Sequence, residues 1–140
     1  MNVTHYIGFD VHERSISYCV NTADGQMVEE NGPIAERRTL RKWASQRPQP
    51  WRGAMEATLF SGWVYDTLKP YAAQLDMAQP TMMRAISTGK KNDSIDARTI
   101  ADMVGWDWLP VCYVAPPAVR ERRRLLRYRG LVVRDSVRMP

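Results

Sequence analysis

Residues 4–11, Thr-His-Tyr-Ile-Gly-Phe-Asp-Val, run a β-forming apolar stretch directly into an acid, Asp10. Polar residues 12–15 separate it from a second such run at 16–22, and an Asp24–Gly25 pair precedes a third at 26–30. An Asp–Gly step between β-prone runs is a hairpin signal, because the favoured two-residue turn requires backbone angles that these residues tolerate. Three consecutive antiparallel strands are therefore expected, the first carrying a carboxylate at its end. This start commits the chain to a sheet and rules out an all-helical fold.

The rest of the chain alternates between the two periodicities. Residues 34–46 place Leu40, Trp43 and Ala44 among arginines with no Gly or Pro, as an amphipathic helix does, and Arg-Pro-Gln-Pro at 47–50 ends it. Residues 51–57 read as a fourth strand with Glu56 emerging at its end, residues 59–68 as a helix stopped before Pro70, and residues 72–80 as a weak fifth strand. Residues 81–86 suit a short helix or loop, 87–93 a polar turn, and 93–104 a helix with Ile95, Thr99, Ile100 and Met103 on one side. The order of three strands, helix, strand, helix, strand, helix suits an α/β fold. A ribonuclease H-like mixed sheet with flanking helices satisfies it, and a generic α/β sheet does nearly as well.

Beyond residue 104 the character changes. Residues 105–117 form a Pro-bounded aromatic connector with room for a short edge strand at 111–114; Trp106 and Trp108 are read as packing it onto the domain, with stacking on nucleobases as the alternative. From the Pro116–Pro117 pair onward a long Arg-rich helix is expected, proline being suited to a first helical turn. Val119, Leu126, Val133 and Val137 fall near heptad spacing, but Arg122 and Gly130 interrupt the seam. The division is thus a domain at 1–110 and a connector plus basic helix at 111–140.

Charge supports that division. The chain carries +5, and residues 117–140 set eight arginines against only Glu121 and Asp135, so the whole positive excess lies in the tail. Such asymmetry points to a polyanionic partner such as nucleic acid. Arg120, Arg122, Arg123, Arg124, Arg127 and Arg129 are the candidates for phosphate contact, joined by Lys90 and Lys91 from the polar turn. Cys19 and Cys112 match no metal-ligand spacing and are expected as buried thiols in a reducing, cytoplasmic setting. No signal-peptide pattern or membrane-length apolar run is present.

The acids carry the chemistry. Asp10, Glu56, Asp93 and Asp96 read together as a carboxylate cage for hard divalent cations, Mg2+ or alternatively Mn2+, which prefer oxygen ligands. Asp93 and Asp96, three apart, share one face if both lie in a helix. Taken singly each has a plainer role: Asp10 as a strand-end residue, Glu56 as a cap for a helix near Thr58, Asp93 as a favourable charge at a helix start. His12 is read as a hydrogen-bonded structural neighbour of Asp10, with orientation of DNA or water as the alternative, and Asp102 as turned away from the site. A sugar-kinase or actin-like ATPase reading is disfavoured because Val11, His12 and Glu13 stand where a phosphate-approaching glycine is needed.

Three segments carry a family resemblance: Gly8 to Val20 (GFDVHERSISYCV), Ala54 to Leu68 (AMEATLFSGWVYDTL) and Lys90 to Met103 (KKNDSIDARTIADM). They resemble the N-terminal catalytic domain of the DEDD transposases of bacterial insertion sequences, relatives of the Piv and MooV DNA invertases, and the likeness extends over the arginine helix. The resemblance implies a RuvC-like domain at 1–110, DNA transposition or site-specific recombination, and metal ligation and catalysis by Asp10, Glu56, Asp93 and Asp96. It also implies DNA as partner, an element-encoded guide RNA in at least some members, and self-association through a coiled coil that begins in the basic helix. Members carry a further C-terminal serine domain, so a chain ending at Pro140 is expected to be truncated. The alternatives are a non-catalytic nucleic-acid-binding or regulatory fragment and a stand-alone RuvC-like junction resolvase.

Overall fold

The first three strands form the expected meander. In the computed structural model, which describes residues 2–34, 36–86 and 96–138, β1 (His5–Val11), β2 (Ile16–Thr22) and β3 (Met27–Ile34) pair antiparallel. The turn between β2 and β3 places Gly25 at φ +89°, which an L side chain resists, so the Asp–Gly signal marks a real conformational need. β3 runs on to Ile34 through Pro33, four residues further than the apolar run suggests. It is the edge strand, where a residue without an N–H is tolerated.

Next come α1 (Arg37–Ser45), β4 (Trp51–Glu56), α2 (Ser61–Leu68), a single 3-10 turn at Lys69–Tyr71 and β5 (Gln74–Ala78). They are followed by α3 (Pro80–Ile86), α4 (Ala97–Gly105), β6 (Val111–Cys112) and α5 (Pro117–Arg138). The six strands lie in the order β3-β2-β1-β4-β5-β6, with β1, β4 and β5 parallel and β6 antiparallel to β5. This is a mixed sheet with flanking helices, an α/β ribonuclease H-like fold with a long C-terminal helix. β6 extends the sheet beyond residue 110.

Strand alternation sorts the core into two layers. On one face Ile7, Phe9, Val11, Ile16, Tyr18, Val20, Leu75 and Met77 pack with Leu40, Trp43 and Ala44 of α1 and with Val64 and Leu68 of α2. Phe9 meets Trp43 edge-on at 5.5 Å between ring centroids, and Tyr18 lies 4.7 Å from the same indole. On the other face the sheet presents small residues, Gly8, Ala54, Ala78 and Cys19, to Ala97, Ile100, Ala101, Met103 and Val104 of α4 and to Met83 of α3. Helix α4 therefore sits close against the sheet at Gly8. Its side contacts fix it laterally: Arg98 pairs with Glu30 of β3 at 2.6 Å, and Asn21 donates to Asp102 at 2.9 Å.

Three expectations shift. The helix read from 93 begins at Ala97, with Asp96 as its N-cap in extended geometry (φ −74°, ψ 166°), because the Asp96 side chain accepts the Thr99 N–H at 2.9 Å. The helix read from 59 begins at Ser61, because Ser61 Oγ donates to the Glu56 carbonyl and accepts from the Thr58 N–H, closing a turn that leaves Leu59 and Phe60 outside. Trp106 and Trp108 do not pack the connector onto the domain. They are 62% and 68% exposed, and each stands edge-on to the other at 5.8 Å.

Candidate functional site

The parallel pairing of β1 and β4 runs from His5 opposite Trp51 to Phe9 opposite Met55. One step further along the same register lie Asp10 and Glu56. Neighbouring strands are about 4.8 Å apart and in-register residues share a face, so both carboxylates rise from the C-terminal edge of the sheet on the α4 side. That face is fixed by Gly8 and Ala54, two residues back on each strand, which lie under α4. The N-cap Asp96 stands immediately before Ala97, the residue whose carbonyl overlies Gly8. Topology thus brings Asp10, Glu56 and the start of α4 to one corner of the molecule.

Each acid has a distinct setting. Asp10, 21% exposed, receives His12 Nε2 at 3.0 Å, and His12 closes the β1–β2 turn through its backbone N–H to the Ser15 carbonyl. The imidazole holds one carboxylate oxygen, Oδ2, in a set direction, in keeping with the hydrogen-bonded role beside Asp10 expected from the sequence. Glu56 ends β4 half-buried, and α2 has no side-chain cap, so Glu56 does not serve as the helix cap its position suggested. Asp96 is exposed and caps α4. Asp93, Lys90 and Lys91 lie outside the described residues.

The donor set is all carboxylate oxygen, which fits a hard divalent cation and not a thiolate- or imidazole-preferring metal. Among the described residues no group of three or more His, Cys, Asp or Glu side chains is closed enough to hold an ion. Asp96 Oδ1 accepts the Thr99 amide, and the fourth acid lies outside the described residues.

Of the acids outside the site, Asp102 behaves as expected, taking the amide of the 97% buried Asn21 and not facing Asp10. Cys19 is fully buried beside it, its thiol 3.5 Å from Asn21 Oδ1, whereas Cys112 is only half-buried, short of the expectation for both. Burial first, then the negative charges of Glu30, Asp102 and Asp96, pushes the Cys19 thiol up from 9.0 to about 11, against a smaller opposing effect of Arg98. Cys19 is therefore an inert core thiol.

The basic candidates divide in two. Arg120 is committed inside the molecule: Nη2 donates to Asp66 of α2 at 2.5 Å, Nε donates to the Ala115 carbonyl at 2.9 Å, and Nη1 lies over Gly62. It fits a docking role, anchoring α5 to α2, which the sequence reading missed because nothing in an Arg-rich run marks the one arginine that faces inward. Arg122, Arg123, Arg124, Arg127 and Arg129 are exposed on α5. With 22 residues at 1.5 Å each, that helix is about 33 Å long.

Comparison with known proteins agrees with this architecture. The family model of the IS110-type DEDD transposases, described as transposase, matches residues 7–139. The chain belongs to the DEDD transposase family. No curated protein matches the transposase chain. The matched span begins within β1 and runs through the whole of α5, so it takes in both the acid-bearing edge and the basic helix of the transposase. Membership supports DNA transposition as the biological process. Among the described residues of the transposase no helix is long and apolar enough to cross a membrane.

Proposed function

We propose that this transposase acts on DNA phosphodiesters at the corner formed by the ends of β1 and β4 and the start of α4. Asp10, Glu56, Asp93 and Asp96 are the proposed ligands of Mg2+ or Mn2+ and the proposed catalytic carboxylates. The observation that carries the reading is the β1–β4 register, which sets Asp10 and Glu56 side by side on the α4 face of the sheet. When bound, such cations would supply activation of an attacking oxygen and stabilisation of a leaving one. The chain's own residues hold the carboxylates: the His12 imidazole directs Asp10, and the backbone of two parallel strands spaces Asp10 from Glu56.

DNA is the proposed partner, held by its phosphates on Arg122, Arg123, Arg124, Arg127 and Arg129 of α5, with Lys90 and Lys91 proposed as further contacts. An element-encoded guide RNA and self-association through α5 remain part of this proposal by family likeness. The exposed arginines make binding electrostatic, so affinity falls steeply with salt.

Titration calorimetry with Mg2+ and Mn2+, paired with fluorescence anisotropy on duplex DNA, tests the reading. Asp10→Ala and Glu56→Gln should remove measurable divalent-ion binding and leave DNA affinity near that of the parent chain. Unchanged metal affinity in both variants sinks the carboxylate assignment, and the chain is then a nucleic-acid-binding protein without this chemistry.

A further inference from the structure

A cavity lies on the α4 face away from the acid corner. It has a volume of about 160 Å³ and is enclosed by Tyr6 of β1, the β2–β3 turn, and Ala101, Asp102, Gly105 and Trp106 at the C-terminal end of α4. Its walls are chemically uniform in what they would accept. Two carboxylates enter from different elements, Asp24 from the turn and Asp102 from the helix, and two aromatic rings, Trp106 and Tyr6, line it.

Neither carboxylate is loose. Asp102 Oδ1 is held at 2.9 Å by Nδ2 of Asn21, itself 97% buried and engaged by Cys19 at its other end. Asp24 accepts from the Thr22 hydroxyl, inside a turn fixed by the Gly25 amide on the Thr22 carbonyl. Trp108 braces the Trp106 indole edge-on, so the ring is oriented although exposed. Two fixed carboxylates beside an indole suit one flat cation. A guanidinium stacks on an aromatic face and gives in-plane N–H donors to carboxylates, which an ammonium does less well.

We propose that this cavity is an arginine-binding site filled by a side chain from α5 of a second copy of the chain. Charge complementarity selects that occupant. Residues 117–140 hold the positive excess of the protein, and among the described residues no ion pair engages Arg122, Arg123, Arg124, Arg127, Arg129 or Arg134. Spacing selects it too: Arg123, Arg127 and Arg134 recur at helical intervals and form a stripe along α5. Within one molecule that helix is anchored through Arg120 and Asp66 to α2, which packs on the opposite face of the sheet, so the arginine comes from another copy. The same stripe then serves DNA phosphate and this cavity in competition.

Sedimentation velocity on the full chain at several concentrations tests the contact. Asp24→Asn and Trp106→Ala should each weaken self-association about ten-fold or more, a loss of roughly 1.4 kcal/mol, while Asp24→Glu and Trp106→Phe retain it. N-acetylarginine amide should shift the Trp106 indole N–H resonance and dissociate the parent assembly, and N-acetyllysine amide should do so only weakly. Divalent-ion calorimetry on the same variants should be unchanged, as should DNA anisotropy at chain concentrations too low for self-association, which separates this contact from the metal and DNA reading.

A parent chain that stays monomeric overturns the proposal, as does association that ignores both variants and responds only to polar replacements of Leu126 and Val133. So does loss of DNA binding in Trp106→Ala with association intact, which assigns the indole to nucleobases.

Discussion

Gly8 lies so close beneath α4 that a Cβ placed on it would stand 2.1 Å from the Ala97 carbonyl oxygen and 2.4 Å from the Ala101 nitrogen. Both neighbours are backbone, so no rotamer change relieves the clash. The absence of a side chain at this one position lets the helix descend onto β1 and brings its N-cap, Asp96, to the edge where Asp10 and Glu56 emerge. A motif glycine two residues before the strand-end acid Asp10 thus has a packing cause. Gly8→Ala should lift α4, cost about 1–3 kcal/mol in urea unfolding as overpacking does, and weaken divalent-ion binding in calorimetry beyond what stability alone explains.

The buried amide of Asn21 joins the sheet to α4 through Asp102. Replacing it by Ala leaves a half-buried carboxylate without its donor, and an unmade buried hydrogen bond costs about 1–3 kcal/mol. Asn21→Ala should therefore lower the unfolding free energy by that amount at neutral pH. The double variant Asn21→Ala/Asp102→Ala should recover part of the loss, a coupling read directly from a double-mutant cycle.

The docking of α5 rests on Arg120. Its pair with Asp66 is partly exposed, so the pair itself contributes only about 0.2–1 kcal/mol. The same guanidinium also satisfies the Ala115 carbonyl, which Asp66 does not touch. Arg120→Ala should consequently cost more than Asp66→Asn in thermal unfolding. Hydrogen exchange should report faster opening at residues 115–121 in the arginine variant, with the sheet unaffected.

Cys19 gives the pH dependence a defined sign. Its thiol is raised to about 11 in the folded chain against 9.0 ordinarily, so the unfolded chain loses this proton first. Stability is unaffected by this group below about pH 9, falls as pH rises from there, and levels near pH 11, by on the order of 2–3 kcal/mol in total. Denaturant midpoints measured across that range should drop in the parent chain and drop less in Cys19→Ala. Alkylation at pH 8 should label Cys112 well before Cys19.

Removing one exposed arginine should change salt dependence as well as affinity. Arg123→Gln or Arg127→Gln should each reduce the slope of log K against log salt by about 0.9 on duplex DNA, as expected for one released counterion. Arg120→Gln, whose guanidinium is spent on Asp66 and Ala115, should leave the slope nearly unchanged. A matching loss for Arg120 would show that α5 undocks when DNA binds.

Periodicity and turn chemistry made the strands, the hairpin, α1 and the arginine helix legible, because those signals depend on residues near in sequence. Boundaries failed where a side chain reached for a backbone group. Asp96 left its helix to cap it, and Ser61 held the Glu56 carbonyl and delayed α2 by two residues. Trp106 and Trp108, assigned to packing on hydrophobicity alone, stand largely in solvent on either side of Asp107, whose φ is +57°.

The sequence by itself determined that this is an α/β chain bearing strand-end acids and a basic tail, and its motifs were sufficient to name the family. Only the tertiary structure decided which faces those groups share. Asp10 and Glu56, 46 positions apart, became neighbours through a parallel register that no local pattern encodes. Arg120 became a clamp through an aspartate on another helix, while the arginines beside it stayed exposed. The physical reason is common to all of these cases: local composition fixes which backbone an element adopts, whereas the partner of a charged side chain is set by packing between elements far apart in the chain.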